Sequence, residues 1–160
     1  MSLTLLEPKP LNEHHQTQDF FSGESSLDDW LKRKALANQK LGASRTFVCA
    51  DEAGRVYGFY ALAAGALAHA EASSNIRRNM PDPIPVMVLG RLAVDKQAQG
   101  FKLGSSLLKD AVLRCKAVAE NVGVRALLVH ALNENAKSFY QKYGFKESPV
   151  DSMMLFIRLF

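Results

Sequence analysis

Apolar positions along the chain fall into two rhythms. Leu27, Trp30, Leu31, Ala35, Asn38 and Leu41 share one face of a helix, which predicts a single helix from a Ser26 cap, with Asp29 completing a capping-box-like start, to a stop at Gly42. Lys32, Arg33, Lys34 and Lys40 give its other side a basic character. A second amphipathic helix is predicted over Leu103–Asn121, with Leu103, Leu107, Leu108, Ala111, Val112, Cys115 and Val118 inward and Gly123 as its stop. A third, short one is predicted over Asn133–Tyr143, ended by Gly144. The other rhythm is that of strands. Thr4–Leu6 reads as a short first strand closed by Pro8 and Pro10. Arg45–Asp51 and Arg55–Leu62 flank the turn Glu52-Ala53-Gly54 and predict a hairpin. Ile84–Asp95 is apolar on both faces, Val124–Ala131 is a buried strand, and Met153–Phe160 closes the sheet. Ser73–Asp82 is polar and reads as a loop or short helix. The order strand–loop–helix–strand–helix in the second half predicts an α+β class, a mixed sheet with a βαβ crossover.

Composition narrows the class. The 160 residues are 48% hydrophobic and 22% charged, which fits one ordered globular domain, 1–160, and not a disordered chain. Lys plus Arg is 20 against 16 for Asp plus Glu, a net charge of +4 that permits an anionic partner without requiring one. The nearly apolar stretch Val56–Ala70 is too short for a bilayer span, so no membrane partner is expected. The opening MSLTLLEPKP shows no basic then apolar leader pattern, and a cytoplasmic location is expected. Cys49 and Cys115 form no CxxC and read as packing. His14, His15, His69 and His130 have no metal-ligand spacing and no Ser or Cys partner. No metal is expected, and His130 reads as a core histidine.

Candidate chemistry gathers in Arg91–Leu108, RLAVDKQAQGFKLGSSLL, where a strand ends, glycines follow and a helix opens. Backbone N–H groups at a helix N-terminus bind anions, and glycines allow close approach. A phosphate on Gly100–Gly104, helped by Lys102, is physically reasonable; an ordinary glycine-punctuated loop fits these residues as well. Neither a Walker ending nor GxGxxG is present. By helical spacing alone, Tyr140 lies with Ala136, Phe139 and Tyr143 on a core face.

RLAVD, then Gln99 to Gly104, then ALNENAKSFYQKYGF at Ala131–Phe145, resemble the GNAT superfamily of acetyl-CoA-dependent N-acetyltransferases. The resemblance implies a GNAT fold: a central mixed, mostly antiparallel sheet splayed at the acetyl-CoA site and flanked by helices. It implies that Gln99, Gly100, Phe101, Lys102, Leu103, Gly104 and Ser105 hold the coenzyme's pyrophosphate. Gln99 takes the first position of the family's Gln/Arg-x-x-Gly-x-Gly/Ala loop, Gly104 the sixth, and Lys102 replaces the usual glycine at the fourth. Leu92, Ala93 and Val94 then pair through their backbone with the pantetheine arm, and Asn133 and Phe139 complete the cofactor site. Asn133 is equally an N-cap on local sequence. Tyr140 is implied as the acid that protonates the departing thiolate.

Phe20–Asp51 is in addition similar to the N-terminal pattern of GNAT toxins of toxin–antitoxin modules, the TacT/AtaT-like group. That resemblance implies acetylation of the α-amine of aminoacyl-tRNA, inhibition of translation, a ribbon-helix-helix antitoxin and a possible homodimer. Lys32, Arg33, Arg77, Arg78 and Arg91 are the candidates for contact with tRNA. Ile84–Val94 contains no carboxylate to act as a base. An α-amine, with pKa near about 8, needs a base less than a lysine side chain near about 10.4. Two other readings stay open: a GNAT enzyme acting on a protein N-terminus, a lysine or a small amine, and a non-catalytic acyl-CoA-binding or partner-binding module.

Overall fold

The computed structural model describes residues 3–160. The strands are β1 (Lys9–Pro10), β2 (Arg45–Ala50), β3 (Val56–Leu67), β4 (Ile84–Val94), β5 (Ala126–His130), β6 (Lys146–Glu147) and β7 (Met154–Arg158). The helices are α1 (Ser25–Arg33), α2 (Ala35–Leu41), α3 (Ser74–Arg77), α4 (Leu103–Ala119) and α5 (Glu134–Lys142). The strands form a seven-stranded sheet in the order β1-β2-β3-β4-β5-β7-β6. β4 and β5 are parallel from Val86↔Ala126 to Leu89↔Val129, as the crossover through α4 requires. That pairing ends while β4 runs on to Val94. The expected α+β class is the class observed.

The chain divides into two compact units, one comprising the residues up to Ala63 with Arg91–Ala111, the other Ala64–Gly90 with Val112–Phe160. In the first, the β2–β3 hairpin runs from Arg45↔Leu62 to Ala50↔Val56, with an irregularity at Cys49/Ala50. Phe59 is its centre. Phe20 meets that ring edge-on at 5.5 Å and Trp30 stacks on it at 6.1 Å. Leu11, Leu31, Ala35, Val48, Val56 and Ala93 close the cluster. Burying a side chain of the larger kind contributes roughly 1.5–3 kcal/mol. Gly58 lets the start of α4 come close to β3: a Cβ there would stand 3.0 Å from Leu103 Cδ2 and Leu107 Cδ1. Tyr60 Oη donates to Asp110 Oδ2 and ties α4 to the same strand. In the second unit, Leu67, Ile76, Ile84, Val86, Leu128 and Phe156 form a separate cluster.

Several expectations are corrected. The first strand is Lys9–Pro10, not Thr4–Leu6. It pairs with Val48 and Phe47 at the sheet's edge, where a proline's missing N–H costs no ladder bond. The single N-terminal helix is two, broken at Lys34 (φ −122, ψ −32). Leu41 consequently ends 82% exposed instead of on the core face, while Gly42 closes α2 in the left-handed region as expected. Ser26 is not the cap: α1 begins at Ser25, after Glu24. Val118 is exposed, because the last turn of α4 runs past the core. His130 is exposed at the end of β5, so it is not a core histidine. β6, only two residues long, had no hydrophobic pattern to announce it.

Candidate active site

In the first unit the end of β4 and the loop after it are stitched to the segment before α1. Asp95 is 2% exposed. Its Oδ2 accepts the Phe21 N–H at 2.9 Å, and its Oδ1 accepts the Gln97 N–H at 2.9 Å, opening the short 3₁₀ turn Lys96–Ala98. The Lys96 N–H donates to Phe21 O at 2.8 Å. Gln99 Nε2 donates to Ser22 O at 3.1 Å and to Val94 O at 2.9 Å. Ser22 is held in turn by the buried Asp28, whose Oδ1 accepts the Ser22 hydroxyl at 2.6 Å. Gly23, with φ +99, passes so close that a Cβ would meet Lys96 Cε at 2.8 Å. Buried polar atoms satisfied in this way fix a loop more firmly than apolar contact alone.

The loop then turns through two left-handed residues, Gly100 (φ 92) and Lys102 (φ 61). For a lysine this conformation costs roughly 1–2 kcal/mol. The Lys102 carbonyl receives the Ser106 N–H at 3.2 Å and the Ser105 hydroxyl at 2.9 Å, which starts α4. The backbone N–H groups from Gly100 to Ser105 find no acceptor among the described residues. A run of unpaired donors at a helix start, beside an ammonium, suits a phosphate ester. The Phe101 ring is 73% exposed on this loop. Gln99 secures the loop's entry, Leu103 packs toward Gly58, and Gly104 lies in the first turn of α4. Upstream, Ala93 is buried in the core, whereas Leu92 and Val94 are half-buried.

In the second unit α5 is capped by Asn133, whose Oδ1 accepts the Ala136 N–H at 2.9 Å, as its local sequence predicts. Tyr140 is 6% exposed. Its ring meets Phe139 at 5.2 Å and Phe145 at 5.5 Å. Burial raises its phenol pKa above the ordinary value, so the proton stays on the oxygen at any physiological pH. The hydroxyl makes no hydrogen bond to the described residues. The Tyr140 carbonyl accepts the Tyr143 and Phe145 N–H groups at 3.0 and 3.2 Å, and Gly144 (φ 96) ends the helix. Lys137 Nζ lies 2.6 Å from Glu147 Oε2, which joins α5 to β6.

Of the basic candidates, Lys32 and Arg33 are exposed on the last turn of α1. Arg91 is half-buried, its guanidinium 4.4 Å over the Trp30 ring, and burial lowers its pKa. Arg77 and Arg78 are exposed at the end of α3, in the second unit. Cys49 and Cys115 are buried, with thiols pushed up to about 11 and about 12, chiefly by burial. Among the described residues no His/Cys/Asp/Glu group is placed to hold a metal, and no helix is long and apolar enough to cross a membrane. The sequence reading missed the Ser22–Asp28 pair and the clamp made by Asp95. A signal was present: Asp28 stands on the apolar side of α1, three residues before Leu31, where a carboxylate must find buried donors.

The fold and the loop define an acyltransferase, and the chain belongs to the GNAT acetyltransferase family, whose domain matches residues 42–147. A tRNA-acetylating toxin of Mycobacterium tuberculosis is 52% identical over 151 residues, 94% of this chain and 90% of the relative. The structure of AtaT complexed with acetyl-methionyl-tRNAfMet superposes with a TM-score of 0.90, at 26% identity, over 97% of this chain and 95% of that one. A mutant AtaT toxin bound to the C-terminus of the antitoxin AtaR and acetyl-CoA gives a TM-score of 0.82, at 26% identity, over 97% of this chain and 93% of that one.

Proposed function

We propose that residues 1–160 act as one catalytic domain, a cytoplasmic toxin that acetylates the α-amine of aminoacyl-tRNA and so stops translation. The observation that carries this reading is the 52% identity to a tRNA-acetylating toxin over nearly the whole chain. Charged tRNA is then the acceptor. A ribbon-helix-helix antitoxin neutralises the enzyme, and a homodimer is the working form. The strand β4 without a carboxylate agrees with an acceptor amine that is already partly neutral near pH 7.

Acetyl-CoA, when bound, supplies a thioester acyl group open to attack by a neutral amine. The chain's own residues fit that co-substrate, because the unpaired N–H run from Gly100 to Ser105 is a ready anion cradle. In this reading Gln99 fixes the entry of the cradle and Gly100, Phe101, Lys102, Leu103, Gly104 and Ser105 hold the pyrophosphate. The backbone of Leu92, Ala93 and Val94 aligns the pantetheine arm, with Asn133 and Phe139 beside it. Tyr140 holds its proton until a thiolate develops and gives it up to that sulfur. A buried phenol is a weak acid, but a thiolate in a dry site is a correspondingly strong base, so the two match. Lys32, Arg33, Arg77, Arg78 and Arg91 contact the tRNA backbone. Orientation of the two substrates supplies most of the acceleration.

Labelled acetyl-CoA offered to charged tRNA, the same tRNA deacylated, a lysine peptide and free amino acids tests the proposal. Label on charged tRNA alone is expected. Label on peptide or free amines, with none on charged tRNA, overturns the acceptor and leaves the enzyme. No transfer to any of them, with acetyl-CoA bound, points to a binding module.

A further inference from the structure

We propose that Arg125 and Arg158 form an anion site for a backbone phosphate of the RNA substrate, at the end of the second unit remote from Asn133. The inference rests on the reading of charged tRNA as acceptor.

Arg125 directly precedes β5 and Arg158 is the last residue of β7, whose register sets Arg158 opposite Ala126. Both side chains reach α3. Arg125 Nε donates to Ile76 O at 3.1 Å and its Nη2 to Asn75 O at 3.2 Å. Arg158 Nη1 donates to Asn75 Oδ1 at 2.9 Å. Arg77 and Arg78 lie exposed on the same short helix end, and Arg77 Nη1 donates to Ala72 O at 3.1 Å. None of these guanidiniums pairs with a carboxylate among the described residues. Capping a four-residue helix accounts for one cation and not for such an accumulation. Both side chains reach Asn75, which holds two like charges together; burial first, and Arg158 after it, disfavour the charged form of Arg125. An anion relieves that repulsion, and each guanidinium keeps N–H donors that no described residue uses, in the fork geometry that suits phosphate.

Position selects the kind of anion. β5 spans five residues, about 17 Å at the usual rise, between this cluster and the start of the segment leading to Asn133 and α5. A small amine at the reacting end cannot reach so far; a nucleic acid duplex carrying that amine at its tip can. RNA also repeats its charge, so one phosphate in register brings its neighbours to Arg77 and Arg78.

The test measures binding of deacylated tRNA to wild type, Arg158→Gln and Arg158→Lys at several salt concentrations, with acetyl transfer to charged tRNA alongside. Arg158→Gln is expected to bind several-fold more weakly, with a salt slope shallower by close to one, and to raise KM with kcat, acetyl-CoA affinity and thermal midpoint unchanged. Arg158→Lys keeps the slope. In wild-type protein, tRNA is expected to slow modification of Arg158 by phenylglyoxal and acetyl-CoA is not, a readout that needs no variant to fold. Unchanged tRNA affinity and slope in a folded Arg158→Gln, or no protection by tRNA, overturns the site. Weakened binding of antitoxin alone also overturns it, in favour of an acidic protein partner. If wild type transfers no acetyl to charged tRNA yet Arg158→Gln still loses tRNA affinity, the acceptor reading fails and the anion site stands.

Discussion

The loop from Asp95 to Ser105 and the helix from Asn133 to Gly144 hold their residues in opposite ways. The loop is fixed from behind by the buried carboxylates of Asp95 and Asp28 and by the exposed Gln99 amide, while its forward N–H groups find no acceptor among the described residues. Around Tyr140 the helix is fixed by rings, Phe139 and Phe145, and its polar clamps sit away from that hydroxyl, at the Asn133 cap and in the Lys137–Glu147 pair. A binder of anions needs donors kept free of internal partners, so its support must be polar and must come from elsewhere. A proton donor for a strong base needs a dry surrounding that keeps the proton in place, so its support must be apolar. The two kinds of scaffold predict different failures.

The largest effect is expected from Tyr140→Phe, which keeps the packing and deletes the proton. The expected fall in kcat is on the order of 10²–10⁴, with acetyl-CoA affinity and thermal midpoint little changed, read by steady-state kinetics and calorimetry. An unchanged kcat would remove Tyr140 from the chemistry. Asp95→Ala should fail in the other sense. It strands two part-buried N–H donors, each costing about 1 kcal/mol, so chemical denaturation should show a loss on the order of 2 kcal/mol together with weaker coenzyme A binding. Alkaline pH sets the units against each other. Cys115 and Tyr140 in the second unit and Cys49 in the first are acids that the fold holds neutral above their ordinary values. The unfolded chain therefore loses these protons first, and stability is lost as pH rises from about 9 toward about 11, by up to about 1.4 kcal/mol per pH unit per group. Cys49→Ala should flatten that slope by one proton in a denaturation series. The smallest effect belongs to Lys102. Lys102→Gly should relieve about 1 kcal/mol of backbone strain, which Lys102→Ala does not. A loss of coenzyme A affinity shared by both variants, and steeper at low salt, measures the ammonium apart from the strain.

Much of this was legible in the residues. α4, α5, the hairpin, β4 and β7 follow from periods and stops that local sequence sets, and Asn133 announced its own cap. The break at Lys34 was not legible, because nothing in WLKRKALA interrupts the helical spacing; it goes with the burial of both Trp30 and Ala35, one on each side of it, in the same cluster. The strand at Lys9–Pro10 was hidden by its prolines, which only an edge position tolerates. Lys102 was visible as a departure from the glycine pattern, yet its positive φ emerges only from the chain's path. The charge at Arg125 and Arg158 could not be read at all, since one residue directly precedes β5, the other ends β7, and they become neighbours only through the register of those strands.

Gly58 has no side chain and takes no part in the proposed reaction, yet two leucines of the first turns of α4 rest against the place where a side chain would begin. A methyl group there acts as a shim. The leucine methyl groups must yield by a few tenths of an ångström, and whatever part of that shift reaches the backbone of α4 displaces the N–H run at its start. Gly58→Ala is thus expected to act as an adjustment screw for the proposed activity: graded attenuation from a hidden position, with surface, charge and the Tyr140 hydroxyl left as they are.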